Sequence, residues 1–300
     1  MKITPELIRK VIKILGNNKN RPKDREGRPG GLIDISKDKR EVIVIGDLHG
    51  AYDNLVKIVA HDGNDKALEA GKSLVVFIGD GVHNDQTGHM LEMESSLLVL
   101  EEMFRLILTY GENVLYIRGN HDTFDERLAK SGIQQGKIFR EFLLQHRGEE
   151  YVESVSDFFE SLPLFIIGNG FVITHAGPVR GGCGRDELIN AYSDQEICHQ
   201  LMWNRLHEFR GTPSLKEYDE RDIRKMLKAL DLPEELPFIV GHNPMWNTGN
   251  LTGIWRDIIG IKNHIIIYTN LQTRAPYLKI HDGEITDVFA IEKERERFYV

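Results

Sequence analysis

The stretch Val42-Ile43-Val44-Ile45-Gly46-Asp47-Leu48-His49-Gly50 decides the fold. Four consecutive β-branched apolar residues, too few for a helix, have the length of a strand buried on both faces. The run breaks at Gly46, which permits a sharp turn, and then delivers a carboxylate (Asp47) and an imidazole (His49). The same grammar recurs. Leu74–Ile78 ends in Gly79-Asp80, and Val114–Ile117 leads into Arg118-Gly119-Asn120-His121-Asp122. Phe171–Thr174 ends in His175-Ala176-Gly177, and Phe238–Val240 in Gly241-His242-Asn243-Pro244.

Continuous apolar strands of this kind imply a sheet covered by helices. Polar groups at their carboxyl ends meet in one crevice. Any single motif has a bland explanation, because an Asp after a strand caps the next helix and a lone His often sits satisfied in a core. Five in order, each directly after an apolar run, do not share it.

Outward from these runs, Thr4 to Asn17 predicts a helix over 4–16, with Thr4 as N-cap, Pro5 in the first turn and Gly16 at the end. The charged, Gly/Pro-rich stretch 17–31 reads as a solvated connection. Met90 to Tyr110, stopped by Gly111, is the clearest covering helix. The charged region 186–230 reads as a helical cap over the sheet. The late runs Ile265–Tyr268, Tyr277–Ile280 and Ile285–Ile291 read as strands of a second sheet.

The 300 residues suffice for one large domain or two modest ones. A net charge of −8 disfavours broad nucleic-acid binding. No apolar run is long enough to span a membrane, and the chain opens without an apolar leader. Two cysteines, Cys183 and Cys198, make no disulfide framework, and a cytoplasmic location is the expectation.

The ordered set GDLHG, GD, RGNHD, H and GHNP resembles the calcineurin-like metallophosphoesterase superfamily, over roughly residues 41 to 250. The RGNH motif and the ending GHNP, which lacks a second histidine at Pro244, are similar to its phosphoprotein-phosphatase branch, bacterial and phage members included. The resemblance implies one catalytic domain over 1–300 with an α/β architecture, a four-layer α/β/β/α sandwich of two mixed β-sheets flanked by helices. It also implies two divalent transition metal ions, Mn, Fe or Zn, with Asp47 and His49 on the first, Asn120, His175 and His242 on the second, and Asp80 bridging. The absence of thiol ligands fits such metals rather than a structural zinc. Two cations clamp phosphoryl oxygens and acidify a bridging water. His121 is the implied general acid beside catalytic Asp80. Asn120 also faces the substrate, and Arg205, in Trp203-Asn204-Arg205, would hold the phosphate.

The second motif departs from the branch's GDxVDRG, reading Gly79-Asp80-Gly81-Val82-His83-Asn84-Asp85. An orienting Asp becomes His83 and a phosphate-gripping Arg becomes Asn84. His83 is then expected to contact the phosphate or orient His121, with Asp85 as its partner, while Arg180 or Arg185 supplies the missing charge. Tyr268-Thr269-Asn270 alters a further family segment. Arg118 is expected in ion pairs supporting the ligand loops, Asp122 behind the ligands, and Trp203 and Trp246 as core anchors. The implied activity is hydrolysis of phosphate monoesters, of a phosphorylated protein or a small molecule. Phosphoanhydride hydrolysis of the diadenosine tetraphosphatase type and a non-catalytic scaffold stay open.

Overall fold

The computed structural model describes residues 1–209 and 211–291. Its strands form two main sheets. The first contains β2 (Glu41–Ile45), β3 (Ser73–Phe77), β4 (Val114–Tyr116), β12 (Ala275–His281) and β13 (Glu284–Ala290), in the order β13-β12-β2-β3-β4. The second contains β1 (Leu32–Asp34), β5 (Phe165–Gly168), β6 (Phe171–Thr174), β9 (Phe238–Val240), β10 (Ile254–Ile258) and β11 (Ile261–Ile267), in the order β1-β5-β6-β9-β11-β10. Both are mixed: β2, β3 and β4 run parallel, as do β6, β9 and β11, whereas β12 pairs antiparallel with β2 and β13.

Alternation along the strands separates three cores. Val42 and Val44, Leu74 and Val76, and Ile239, Ile265 and Ile267 face the other sheet. Ile43, Ile45, Val75 and Phe77 face the opposite way, against α1 (Pro5–Gly16), α2 (Tyr52–Ala60), α4 (Glu94–Tyr110) and α6 (Glu149–Ser161). Phe165, Phe238, Val240 and Ile266 pack on α7 (Arg185–Ile189), α8 (Gln195–Trp203) and α9 (Glu220–Ala229). The remaining helices are α3 (Asn64–Glu69) and α5 (Gln135–Arg147), and β7 (Arg205–Leu206) pairs with β8 (Glu217–Tyr218). The layers are therefore helix, sheet, sheet, helix, as expected.

The first helix forms where its caps predict, with Thr4 Oγ1 accepting from the Leu7 N–H at 3.4 Å. Helix α4 begins at Glu94 rather than Met90 and ends at Gly111. The region 186–230 is three short helices interrupted by β7 and β8, and it covers the outer face of the second sheet.

Three expectations are corrected. The late strands do not make a sheet of their own: Ile265–Tyr268 joins β9, while the last two runs extend the sheet containing β2. A β-branched run specifies a strand but not its partner, which is chosen by contacts remote in sequence. The buried strands are also covered by helices on one face only; the second sheet covers the other. The stretch 17–31 is a loop, but Arg21 is buried, its guanidinium donating to Gly30 O and Ser161 O at 2.7 Å each. Satisfying backbone carbonyls, it pins the loop instead of solvating it. No helix among the described residues is long and apolar enough to cross a membrane.

Candidate metal centre

The five strand ends converge. Asp47 follows β2, Asp80 follows β3, Asn120 follows β4, His175 follows β6 and His242 follows β9, so the two sheets contribute from facing edges. The turns are tight enough to require unusual backbone. His49, Asp80, His83 and His242 all have positive φ, between 43° and 66°. Such conformations cost about 1–3 kcal/mol each in non-glycine residues and persist where surroundings hold them. Here the surroundings are backbone hydrogen bonds: the Leu48 and His49 N–H groups donate to Asp80 O at 3.1 and 2.9 Å. Two glycines admit the carboxylates. A Cβ on Gly119 would lie 2.2 Å from Asp80 Oδ1, and one on Gly241 2.0 Å from Asp47 Oδ1.

Asp80 is the hub. His175 Nε2 lies 3.3 Å from its Oδ2 and His49 Nε2 3.7 Å, and the His121 N–H donates to its Oδ1 at 2.7 Å. Two clusters able to hold a metal ion share it: His49, Asp80 and His121, and Asp80, His175 and His242. Asp47 Oδ2 lies 3.9 Å from His49 Nε2 and accepts from the His242 N–H at 2.9 Å. Asn120 Oδ1 lies 2.9 Å from His175 Nε2 and 2.8 Å from His242 Nδ1.

The donor set fits cations. His49 Nδ1 donates to His83 O at 3.0 Å and His175 Nδ1 to Ile78 O at 2.8 Å. That fixes each ring with Nε2 turned to the carboxylates, as backbone carbonyls fix metal-binding imidazoles. Neutral His175 then presents an acceptor to two more acceptors, Asn120 Oδ1 and Asp80 Oδ2, and only a proton or a cation between them satisfies the three. Without a cation the proton does so. Burial opposes it, but Asp80 and Asp47 outweigh burial and push His175 up to about 9. Burial, with Asp80 as like-charged neighbour, raises Asp47 to about 7. Asp47 Oδ1 and His242 Nε2 are buried without a partner among the described residues. Orphaned acceptors at the meeting point of two carboxylates and three imidazoles are suited to divalent ions bound by O and N.

Behind the hub, Asp122 is fully buried and accepts from Tyr116 Oη at 2.7 Å and from the Gly119 and Asp80 N–H groups at 2.8 and 3.1 Å. It ties β4 to the turns carrying Asp80 and Asn120, the position expected for it.

A cleft of about 270 Å³ opens over the hub, lined by Asp80, Asn120, His121, Lys130, Trp203, Arg205 and Tyr268 among others. Arg205 reaches it from β7, its Nη1 donating to Asn243 Oδ1 at 3.0 Å. Trp203 walls the cleft, edge-on to His242 at 6.2 Å, and Trp246 is 36% exposed; neither is an interior anchor, because each sits at the rim where the ligand turns emerge.

Other expectations fail at this level. His83 is fully buried behind His121, with Nδ1 3.3 Å from His121 Nδ1, so it meets no substrate directly. Asp85 does not face His83. Its carboxylate accepts from Tyr268 Oη, from Asn270 Nδ2 at 2.8 Å and from Lys130 Nζ at 3.2 Å. Arg185 pairs with Asp34, and Arg180 donates to Ser214 O and lies 4.0 Å from Asp222, both away from the cleft. Arg118 pairs with no carboxylate among the described residues and borders Tyr192 and Cys198 in an adjoining groove. Lys130 had no signal in the sequence: it stands in a loop after Asp122, outside every motif.

Comparison with known proteins agrees with this geometry. Residues 41–290 match the calcineurin-like phosphoesterase family. A probable serine/threonine-protein phosphatase of Encephalitozoon cuniculi is 30% identical over 185 residues, 59% of this chain and 36% of the relative. The PP2A-like serine/threonine-protein phosphatase PPG1 of Candida albicans is 25% identical over 276 residues, 82% of this chain and 60% of the relative. The chain thus spans between about a third and three fifths of these relatives' lengths. Among solved structures, a serine/threonine phosphatase from Saccharomyces cerevisiae with similarity to human PP5 superposes with a TM-score of 0.71 at 15% identity, covering 98% of this chain and 90% of that one. A cold-active protein-tyrosine phosphatase of a Shewanella species gives 0.52 at 15% identity, with coverages of 87% and 82%. With more than half of its length matched and the four layers in place, the chain belongs to the calcineurin-like phosphoesterase family.

Proposed function

We propose that the protein is a metal-dependent phosphatase of phosphate monoesters, acting on phosphoserine or phosphothreonine in proteins or on a small phosphorylated molecule. The observation that carries this reading is Asp80, whose Oδ2 lies 3.7 Å from His49 Nε2 and 3.3 Å from His175 Nε2 at the floor of a cleft that also holds Arg205. Asp47, His49 and Asp80 would hold one cation, and Asp80, Asn120, His175 and His242 the other. When bound, Mn, Fe or Zn ions supply Lewis acidity toward the phosphoryl oxygens and toward water. Arg205 binds the phosphoryl group through its guanidinium fork. His121 donates a ring proton to the leaving oxygen. In the imidazolium that donates it, His121 Nδ1–H is held by the neutral His83 Nδ1 at 3.3 Å, which leaves the Nε2 proton, on the nitrogen turned away from His83, for the leaving oxygen. The family relationship to named serine/threonine phosphatases supports phosphoprotein substrates.

The test is phosphate release from p-nitrophenyl phosphate and phosphopeptides by Mn²⁺-loaded protein, with metal analysis. Asp80→Asn should lose bound metal and at least roughly 10³-fold in kcat/KM, since several kcal/mol of charge stabilisation disappear. His121→Ala should keep its metal and lose about 10²–10⁴-fold in kcat. A metal-loaded wild-type protein that hydrolyses no monoester refutes the reading.

A further inference from the structure

Among the described residues, Lys130 and Arg205 are the lysine and arginine side chains lining the cleft over the hub. They arrive from opposite halves of the fold. Arg205 opens β7, beyond the helix α8 that packs on the second sheet, while Lys130 lies in the loop between β4 of the first sheet and α5. A dianionic ligand seated at the hub faces both.

The placement of Lys130 is built. The Lys130 N–H donates to Ile133 O at 3.1 Å and the Ile133 N–H to Lys130 O at 2.9 Å, closing a two-residue turn. Ser131 and Gly132 both have positive φ, 51° and 81°, as a type I′ turn requires. The ammonium then donates to Asp85 Oδ2 at 3.2 Å. Asp85 does not need it, for its carboxylate already accepts from Tyr268 Oη and Asn270 Nδ2. Nor is the pair a large source of stability. With the Lys130 side chain 41% exposed, an ion pair of this kind contributes about 0–1 kcal/mol. What the pair does is hold a cation in place. Only one of the three ammonium donors has an acceptor among the described residues, leaving two for a ligand in the cleft.

We propose that Lys130 is a phosphate-binding, specificity-determining residue that grips a phosphoryl dianion together with Arg205, held in position by Asp85, Tyr268 and Asn270. The inference rests on the phosphatase reading above. It ties two departures in the chain together: Asp85 in the stretch after Asp80, and Tyr268 and Asn270 in the stretch after β11, form one bracket for a lysine that neither stretch contains. A second charge at the rim favours a monoester dianion over a diester monoanion, because the attraction scales with ligand charge.

The experiment measures binding of inorganic phosphate to the full-length, Mn²⁺-loaded protein by calorimetry, alongside KM and kcat for p-nitrophenyl phosphate and its diester. Lys130→Ala should raise the phosphate dissociation constant and the monoester KM about tenfold, the effect of one charge-assisted hydrogen bond. Metal content and thermal midpoint should not move, and the diester KM should change less. Lys130→Arg should recover affinity to within about threefold, because it restores the charge. Unaltered phosphate affinity in Lys130→Ala overturns the proposal, as does equal weakening of monoester and diester. Wild-type protein that binds phosphate through Lys130 yet turns over no monoester upholds this assignment and refutes the phosphatase reading. Wild-type protein that turns over the monoester yet binds no phosphate overturns this assignment alone.

Discussion

The imidazole of His83 stands edge-on to Phe139 at 5.6 Å and touches the cleft only through His121. Burial holds it neutral, pushing it down to about 3. A neutral ring can orient the His121 imidazolium by accepting its Nδ1–H, but it adds no charge to stabilise that imidazolium. His83→Ala should therefore lower kcat by about 10–100-fold, the usual loss when a group orienting a catalytic residue is removed, with KM and metal content unchanged. Unaltered kcat would remove His83 from the chemistry. At this scale the sequence was legible wherever an unusual residue follows a strand: Asp47, His49, Asp80, Asn120, His121, His175 and His242 all converge. Lys130 and the true partners of Asp85 were illegible, because a lysine in a loop carries no local mark of what faces it.

The elements are joined by a few buried polar contacts, and His264 on β11 is one. It is fully buried, with Nδ1 3.0 Å from Phe238 O on β9 and Nε2 2.9 Å from Tyr218 Oη on β8, so it links two strands of the second sheet to the outer helical layer. Burial lowers it from 6.5 to about 4. The unfolded chain therefore binds this proton at a higher pH than the folded one. Stability from this group is full above pH 6.5, falls as pH drops toward 4 and levels off below. The loss reaches on the order of 3 kcal/mol, at up to about 1.4 kcal/mol per pH unit. Thermal midpoints of metal-free protein between pH 7.5 and 4.5 should fall less steeply in His264→Gln than in wild type; parallel curves would sink the argument. Strand positions were readable from β-branched runs, but the edge strands β1 and β10 and the bulged register between β10 and β11 were not, since short edge elements take their form from their neighbours.

At the scale of the whole molecule the ligand groups come from both sheets: Asp47, Asp80 and Asn120 from the ends of the first, His175 and His242 from the second. A cation held between them would clip the layers together, and it would bind the folded state alone. At a metal concentration one hundred times its dissociation constant, this adds about 2.7 kcal/mol of stability. Chelation should thus lower the thermal midpoint and Mn²⁺ restore it, with Asp80→Asn insensitive to both; a wild-type midpoint indifferent to metal would contradict the shared site. By itself the sequence determined that buried strands end in O and N ligands beside glycines, because strand burial and ligand chemistry are written in consecutive residues. The tertiary structure alone decided which strands share a sheet, that His83 backs His121 rather than facing the cleft, and that Lys130 and Arg205 line one cleft. Those facts depend on contacts remote in sequence, Leu278 with Val44 and His83 with His121 among them, brought together by packing that no local pattern encodes.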